Sequence, residues 1–166
     1  MTVPWYVAPD ASSLTRRGGA ASRYGGAMLE FPYGATPFVR TWFGDDAAWQ
    51  AVLTEVVTRA QERGEFAFVE IVDDPSLATL SLAELAALNP TPTGLSLVIV
   101  ADQRAMTEPG LPLLLLRADG TVPPEQMRVE AEHVPTVEVN VAQLANLDWE
   151  DFAGRVDPDG VCRGFS

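Results

Sequence analysis

The sequence predicts an α/β domain: a mixed sheet of four to five strands with helices packed on it, preceded by an irregular N-terminal arm over residues 1–36. Three observations predict it. Short β-branched and aromatic runs alternate with stretches at helical spacing, the order of strand–helix–strand units. Pro4, Pro9, Gly18-Gly19, Gly25-Gly26, Pro32 and Gly34 interrupt every period in the arm. At 166 residues and 47% hydrophobic, the chain is long enough for one ordinary core, so a single domain is expected over 37–166.

Within the arm, Trp5, Tyr6, Tyr24, Phe31 and Tyr33 supply more aromatic anchors than a solvated tail carries. Trp5, Tyr6, Tyr24 and Tyr33 are therefore candidate contacts for a partner. Residues 37–43 (Pro-Phe-Val-Arg-Thr-Trp-Phe) read as the first strand, ending at Gly44. The next helix has Asp45 and Asp46 as cap and first-turn charges, and Trp49, Val52, Leu53, Val56 and Ala60 on one face. Gly64 stops it, and Glu55 is placed to pair with Arg59 across one turn. Phe66 to Val72 is a second strand, closed by Asp73-Asp74-Pro75; strand, helix, strand is a right-handed crossover if the strands are parallel. Ser81 and Glu84 form a capping box for a short helix bearing Leu82, Leu85 and Leu88.

Leu95 to Ala101 is the most apolar strand, and Asp102 follows at its carboxyl end, where ligand crevices open in α/β sheets. Residues 103–111 read as a helical turn or loop, Pro112 to Leu116 as a fourth strand, and Asp119-Gly120 as a turn. Strict alternation from Met127 to Glu132 marks a half-exposed strand, a place where a second chain can add to form a homo-oligomer. Residues 134–144 fit strand or helix spacing, with helix favoured. Asp148 caps a last helix over 149–156.

Composition excludes several chemistries. The eleven cations are all arginine, so a P-loop lysine, a Schiff-base lysine and a Ser-Lys pair are impossible. One cysteine, Cys162, and one histidine, His133, cannot build a Cys/His zinc site within one chain. Residues 1–36 hold three arginines against Asp10 and Glu30, leaving eight arginines against twenty-one acids, an excess of 13 negatives in the body. That field repels nucleic-acid phosphates and anionic membrane surfaces and suits a basic protein partner or a cation. With no apolar run of membrane-span or signal-peptide type, a cytoplasmic protein is expected.

The main candidate constellation is acidic. Asp45, Asp46, Asp73, Asp74 and Asp102 fall at or just after strand ends, so parallel strands would gather five carboxylates on one sheet edge. Such a cluster can hold a divalent cation or shift its own pKa values for acid–base work; capping and strand-end turns are the competing explanation. Asp157-Pro158-Asp159-Gly160 resembles the opening of a calcium loop but lacks its remaining ligands.

Val39-Arg40-Thr41-x-Phe43-x-Asp45-Asp46-x-Ala48-Trp49, Val72-Asp73-Asp74-Pro75, and the apolar strand ending in Ala101-Asp102 carry a resemblance. Asn146-Leu147-Asp148-Trp149-Glu150-Asp151-Phe152 and Asp157-x-Asp159-Gly160-Val161-x-Arg163-Gly164-Phe165 carry it further. Over about residues 37–165 the chain resembles a family of small acidic actinobacterial proteins known as a domain of unknown function. The resemblance implies an actinobacterial, cytosolic origin and one compact domain, and it brings no activity, cofactor or catalytic residue.

The expected function is a non-catalytic binding or accessory protein, immunity-like or regulatory, that holds a protein partner through its acidic surface, with no catalytic residue and no cofactor. One alternative is a divalent-cation-dependent enzyme using the five aspartates. Another is a small-ligand binding domain with Trp42 or Trp49 as a stacking surface.

Overall fold

A computed structural model of the chain describes residues 21–24, 27–30, 34–89 and 96–165. The strand signals at 37–43, 66–72, 95–101, 112–116 and 127–132 become β3 (Thr36–Arg40), β4 (Val69–Val72), β5 (Leu97–Ala101), β6 (Pro112–Arg117) and β7 (Gln126–Glu130). Two earlier strands, β1 (Ala21–Tyr24) and β2 (Ala27–Glu30), pair antiparallel as a hairpin within the arm, for which no secondary structure was expected. Their Ala-Ser-Arg-Tyr and Ala-Met-Leu-Glu sequences lack the β-branched alternation that marks a strand.

The sheet has six strands rather than four to five, in the order β4-β3-β5-β6-β7-β8. The added strand, β8 (Val161–Cys162), is two residues long and too short to carry a period. It pairs in parallel with β7, Arg128 opposite Val161 and Val129 opposite Cys162. The strand at 127–132 is therefore covered and is not the free edge the alternation suggested. β3 lies between two parallel neighbours, β4 and β5; β5, β6 and β7 run antiparallel in turn. The expected β3–helix–β4 crossover is present, with Phe38 opposite both Ile71 and Ile99.

Alternation divides the sheet's side chains between two faces. Phe38, Leu97, Ile99, Leu113, Leu115, Met127 and Val129 lie in one core cluster, and Val39, Val72, Val98, Val100, Leu114 and Leu116 in the other. The first face is covered by a continuous helical segment at 46–62: α1 (Asp46–Leu53), a π-helical stretch Thr54–Arg59 and α2 (Ala60–Glu62). Its inward side chains are Trp49, Val52, Val56 and Ala60, the stripe the spacing predicts, and Gly64 ends it at φ 78°. On the same face, α4 (Gln103–Thr107), α5 (Val134–Glu138) with the π-helical Val139–Gln143, and α6 (Trp149–Ala153) add Met106, Val137, Val141, Trp149 and Phe152. The second face is covered by the 3-10 helix Pro75–Thr79 and by α3 (Leu82–Ala86), whose Ser81–Glu84 capping box forms as expected.

Asp45 accepts from the backbone N–H groups of Ala47 and Ala48 at 2.8 and 3.1 Å. Replacing it with alanine leaves those donors to water, so Asp45→Ala is expected to lower stability by about 1 kcal/mol. A urea melt checks this as a lower midpoint with an unchanged slope.

Candidate functional site

β3, β4 and β5 are parallel, so their carboxyl ends, at Arg40, Val72 and Ala101, place the five aspartates along one edge of the sheet. Each is engaged by the fold. Asp45 caps α1, and Asp74 caps the following 3-10 helix through Ser76 N–H at 2.9 Å. Asp46 and Asp73 share Arg40, at 2.6 and 3.4 Å. Asp102 accepts from Ala105 N–H at 3.0 Å to cap α4, and takes both terminal nitrogens of Arg128 at 2.9 and 2.5 Å.

Arg40 is 4% exposed, although it carries a full charge. Its Nε donates to the Trp42 carbonyl at 3.0 Å, and its guanidinium lies 4.4 Å from the Phe43 ring centroid and 5.7 Å from that of Trp49. Burial tends to raise the Asp102 pKa, but the hydrogen bonds from Arg128 and Ala105 together outweigh it and hold the carboxyl below its ordinary value. Among the described residues, no group of three or more His, Cys, Asp or Glu side chains is placed to hold a metal ion. The positive charge between Asp46 and Asp73 is supplied by an arginine.

Sequence reasoning passed over Arg40 and Arg128. The signal was a charge inside an apolar run at Arg40, and a charge on an otherwise half-buried strand at Arg128; either implies a carboxylate partner.

The acidic turn at 157–160 follows the same pattern. Arg163 reaches Asp157 at 2.7 Å and Asp159 at 2.6 and 3.2 Å, so both carboxylates of the apparent calcium-loop opening are bridged by one guanidinium. His133 Nε2 lies 3.9 Å from Glu130, and Cys162 is fully buried. Trp49 is buried against Phe38, ring centroids 5.4 Å apart, and has no face to offer a ligand; Trp42 is half-buried with its ring over Gly44. A cavity lined by Ser96, Leu97, Arg117, Val141, Asp148, Trp149 and Glu150 measures about 30 Å³, the size of a water molecule rather than a substrate. Arg117 Nε lies 2.9 Å from Asp119 there without the alignment of a hydrogen bond, so the contact is coulombic. Trp5, Tyr6 and Tyr33 lie outside the described residues; Tyr24 ends β1, and nothing is described of its side chain.

At the opposite edge of the sheet stands a carboxylate that no sequence pattern singled out. Glu138 of α5 is fully buried, and no ion pair with it occurs among the described residues. It accepts from Thr36 Oγ1 at 2.8 Å, Phe68 N–H at 3.0 Å and Gln143 Nε2 at 2.6 Å. Burial pushes its pKa up, and the three hydrogen bonds only partly oppose the rise. Gln143 also donates to the Gly34 carbonyl at 2.9 Å. The group ties the start of β3 and the entry to β4 to the helical layer.

Elsewhere the arginines pair with the chain's own acids: Arg59 and Arg63 with Glu55, Arg104 with Glu108, and Arg117 with Asp119, Glu125 and Glu150. Arg155 instead stacks on Phe165 at 4.2 Å. No helix of the described residues is long and apolar enough to cross a membrane.

Residues 35–165 match the family model described as Domain of unknown function (DUF6924), and the chain belongs to that family. The resemblance to a domain of unknown function, carried by the motifs from Val39 to Phe165, is thereby borne out. A search of the curated proteins found no match.

Proposed function

We propose that the domain is a non-catalytic binding module that holds a basic protein partner through its acidic surface, in an immunity-like or regulatory role. The observation that carries this reading is how the charges are spent. Arg40, Arg59, Arg63, Arg104, Arg117, Arg128 and Arg163 are each paired with carboxylates of the same chain. Against a net charge of −12, that leaves the outward field to the acids and few cations for a phosphate or carboxylate ligand.

The water-sized cavity and the buried Trp49 weigh against a small-ligand site, and the engagement of the five aspartates by caps and arginines weighs against a cation-dependent enzyme. Nucleic acid is disfavoured as a partner by the same field.

The test is affinity capture with the full-length protein, followed by purification of the captured partner and measurement of the pair's affinity across salt concentrations. A basic partner is expected, with affinity falling steeply as salt rises because the association is electrostatically driven. A partner without basic character, or one whose affinity does not change with salt, would overturn the reading.

A further inference from the structure

Glu70 is a half-buried carboxylate on the sheet's edge strand. No ion pair with it occurs among the described residues, and burial alone pushes its pKa above the ordinary glutamate range. It lies on β4, the outermost strand of the sheet, whose far side pairs with no strand among the described residues. At the other end of the sheet, β8 is only two residues long, and Val156 bridges to Cys162. β4 is thus the longer open edge.

Thr36 N–H donates to the Phe68 carbonyl, so strand alternation turns the peptide groups of Phe68 and Glu70 toward β3 and those of Val69 and Ile71 outward. Beside them Phe68 is 49% and Ile71 37% exposed. An edge strand presents unpaired N–H and C=O groups on which another strand can add, and β4 keeps large apolar side chains beside its own.

We propose that the open edge of β4 receives an extended, basic segment of a protein partner, which adds as a strand to the peptide groups of Val69 and Ile71 and sets an arginine or lysine against Glu70. The inference rests on the acidic-surface reading and says where that surface is engaged. Charge complementarity selects the occupant. A second copy would bring its own Glu70 and its own excess of acids to the contact, whereas a basic strand of alternating character sets a cation on the face of Glu70 and lays an apolar side chain beside Ile71 on the other face.

The experiment titrates isotope-labelled full-length protein with a peptide of alternating valine and arginine, at low and raised salt, in the wild type and in Glu70→Arg and Glu70→Gln. The amides of Val69 and Ile71 are expected to shift and to exchange more slowly with solvent on binding. Affinity is expected to fall about tenfold or more in Glu70→Arg, with Glu70→Gln in between. Shifts confined to another surface, with Glu70→Arg unaffected, would overturn the edge inference and leave the acidic-surface reading standing. Failure of the peptide to bind would also overturn it, while the captured partner decides the other reading separately. Slow exchange of both amides in the free protein would mean that the edge is already occupied, by another part of the chain or by a second copy, and would equally overturn it.

Discussion

Glu138→Ala is expected to lower stability by on the order of 3–5 kcal/mol, read as a large fall in the urea midpoint. The side chain is fully buried and is the shared acceptor for Thr36 Oγ1, Phe68 N–H and Gln143 Nε2. Truncation leaves these donors facing a void, and an unmade buried hydrogen bond costs far more than a made one contributes. Glu138→Gln fills the same space but turns an amide N–H toward one of the donors, so its loss is smaller.

Wild type and Glu138→Gln also separate by pH. Burial raises the Glu138 pKa in the folded state above its ordinary 4.5, so the folded chain holds this proton more tightly than the unfolded chain does. The contribution is fully present below 4.5 and is lost as pH rises through the raised folded value. Wild-type stability should therefore carry a downward slope in that window that Glu138→Gln lacks.

The second large effect is at Asp102. Asp102→Ala is expected to cost about 2–4 kcal/mol, since it removes the cap on α4 and, among the described residues, leaves Arg128 with only the Pro112 carbonyl. The range sits below that of a fully buried pair because Asp102 and Arg128 keep partial contact with solvent. Its pH dependence has the opposite sign. The folded Asp102 pKa lies below 3.8, so its contribution is present above 3.8 and lost as pH falls through the depressed value. Melts at several pH values check both: the Asp102→Ala deficit should shrink toward strong acid, and the Glu138 slope should appear above pH 4.5.

Much of the fold was legible because the periodic signals are local. The stripe from Trp49 to Ala60, the Ser81–Glu84 box and the run at 95–101, which becomes β5, each specify an element without tertiary help. β8 escaped because two residues carry no period, and the hairpin in the arm because its strands lack β-branched residues. Phe66 to Val72 read as one strand, yet pairing begins only at Val69. Apolar composition marks a segment suited to a sheet but not where its neighbour starts.

For the candidate site, sequence placed the five aspartates on the correct edge but could not show what faces them. Arg40 and Asp73 are 33 positions apart, and Arg128 and Asp102 are 26 apart, so their pairing emerges only from the parallel and antiparallel register. Glu138 was invisible for a related reason. Its partners come from β3, the approach to β4 and its own helix, which the fold alone assembles.

The choice between a binding module and a cation-dependent enzyme turns on whether the aspartate edge is already satisfied. Thermal unfolding of the full-length protein, titrated with Mg²⁺, Mn²⁺ and Ca²⁺ at near-physiological salt, tests this directly, with Asp46→Asn/Asp73→Asn as the comparison. With Arg40 and the helix caps engaging these carboxylates, no saturable stabilisation is expected, and wild type and variant should respond alike. A saturable rise for one cation that disappears in the variant, approaching about 2.7 kcal/mol at a hundredfold excess over its dissociation constant, would contradict the account and return the edge to metal chemistry.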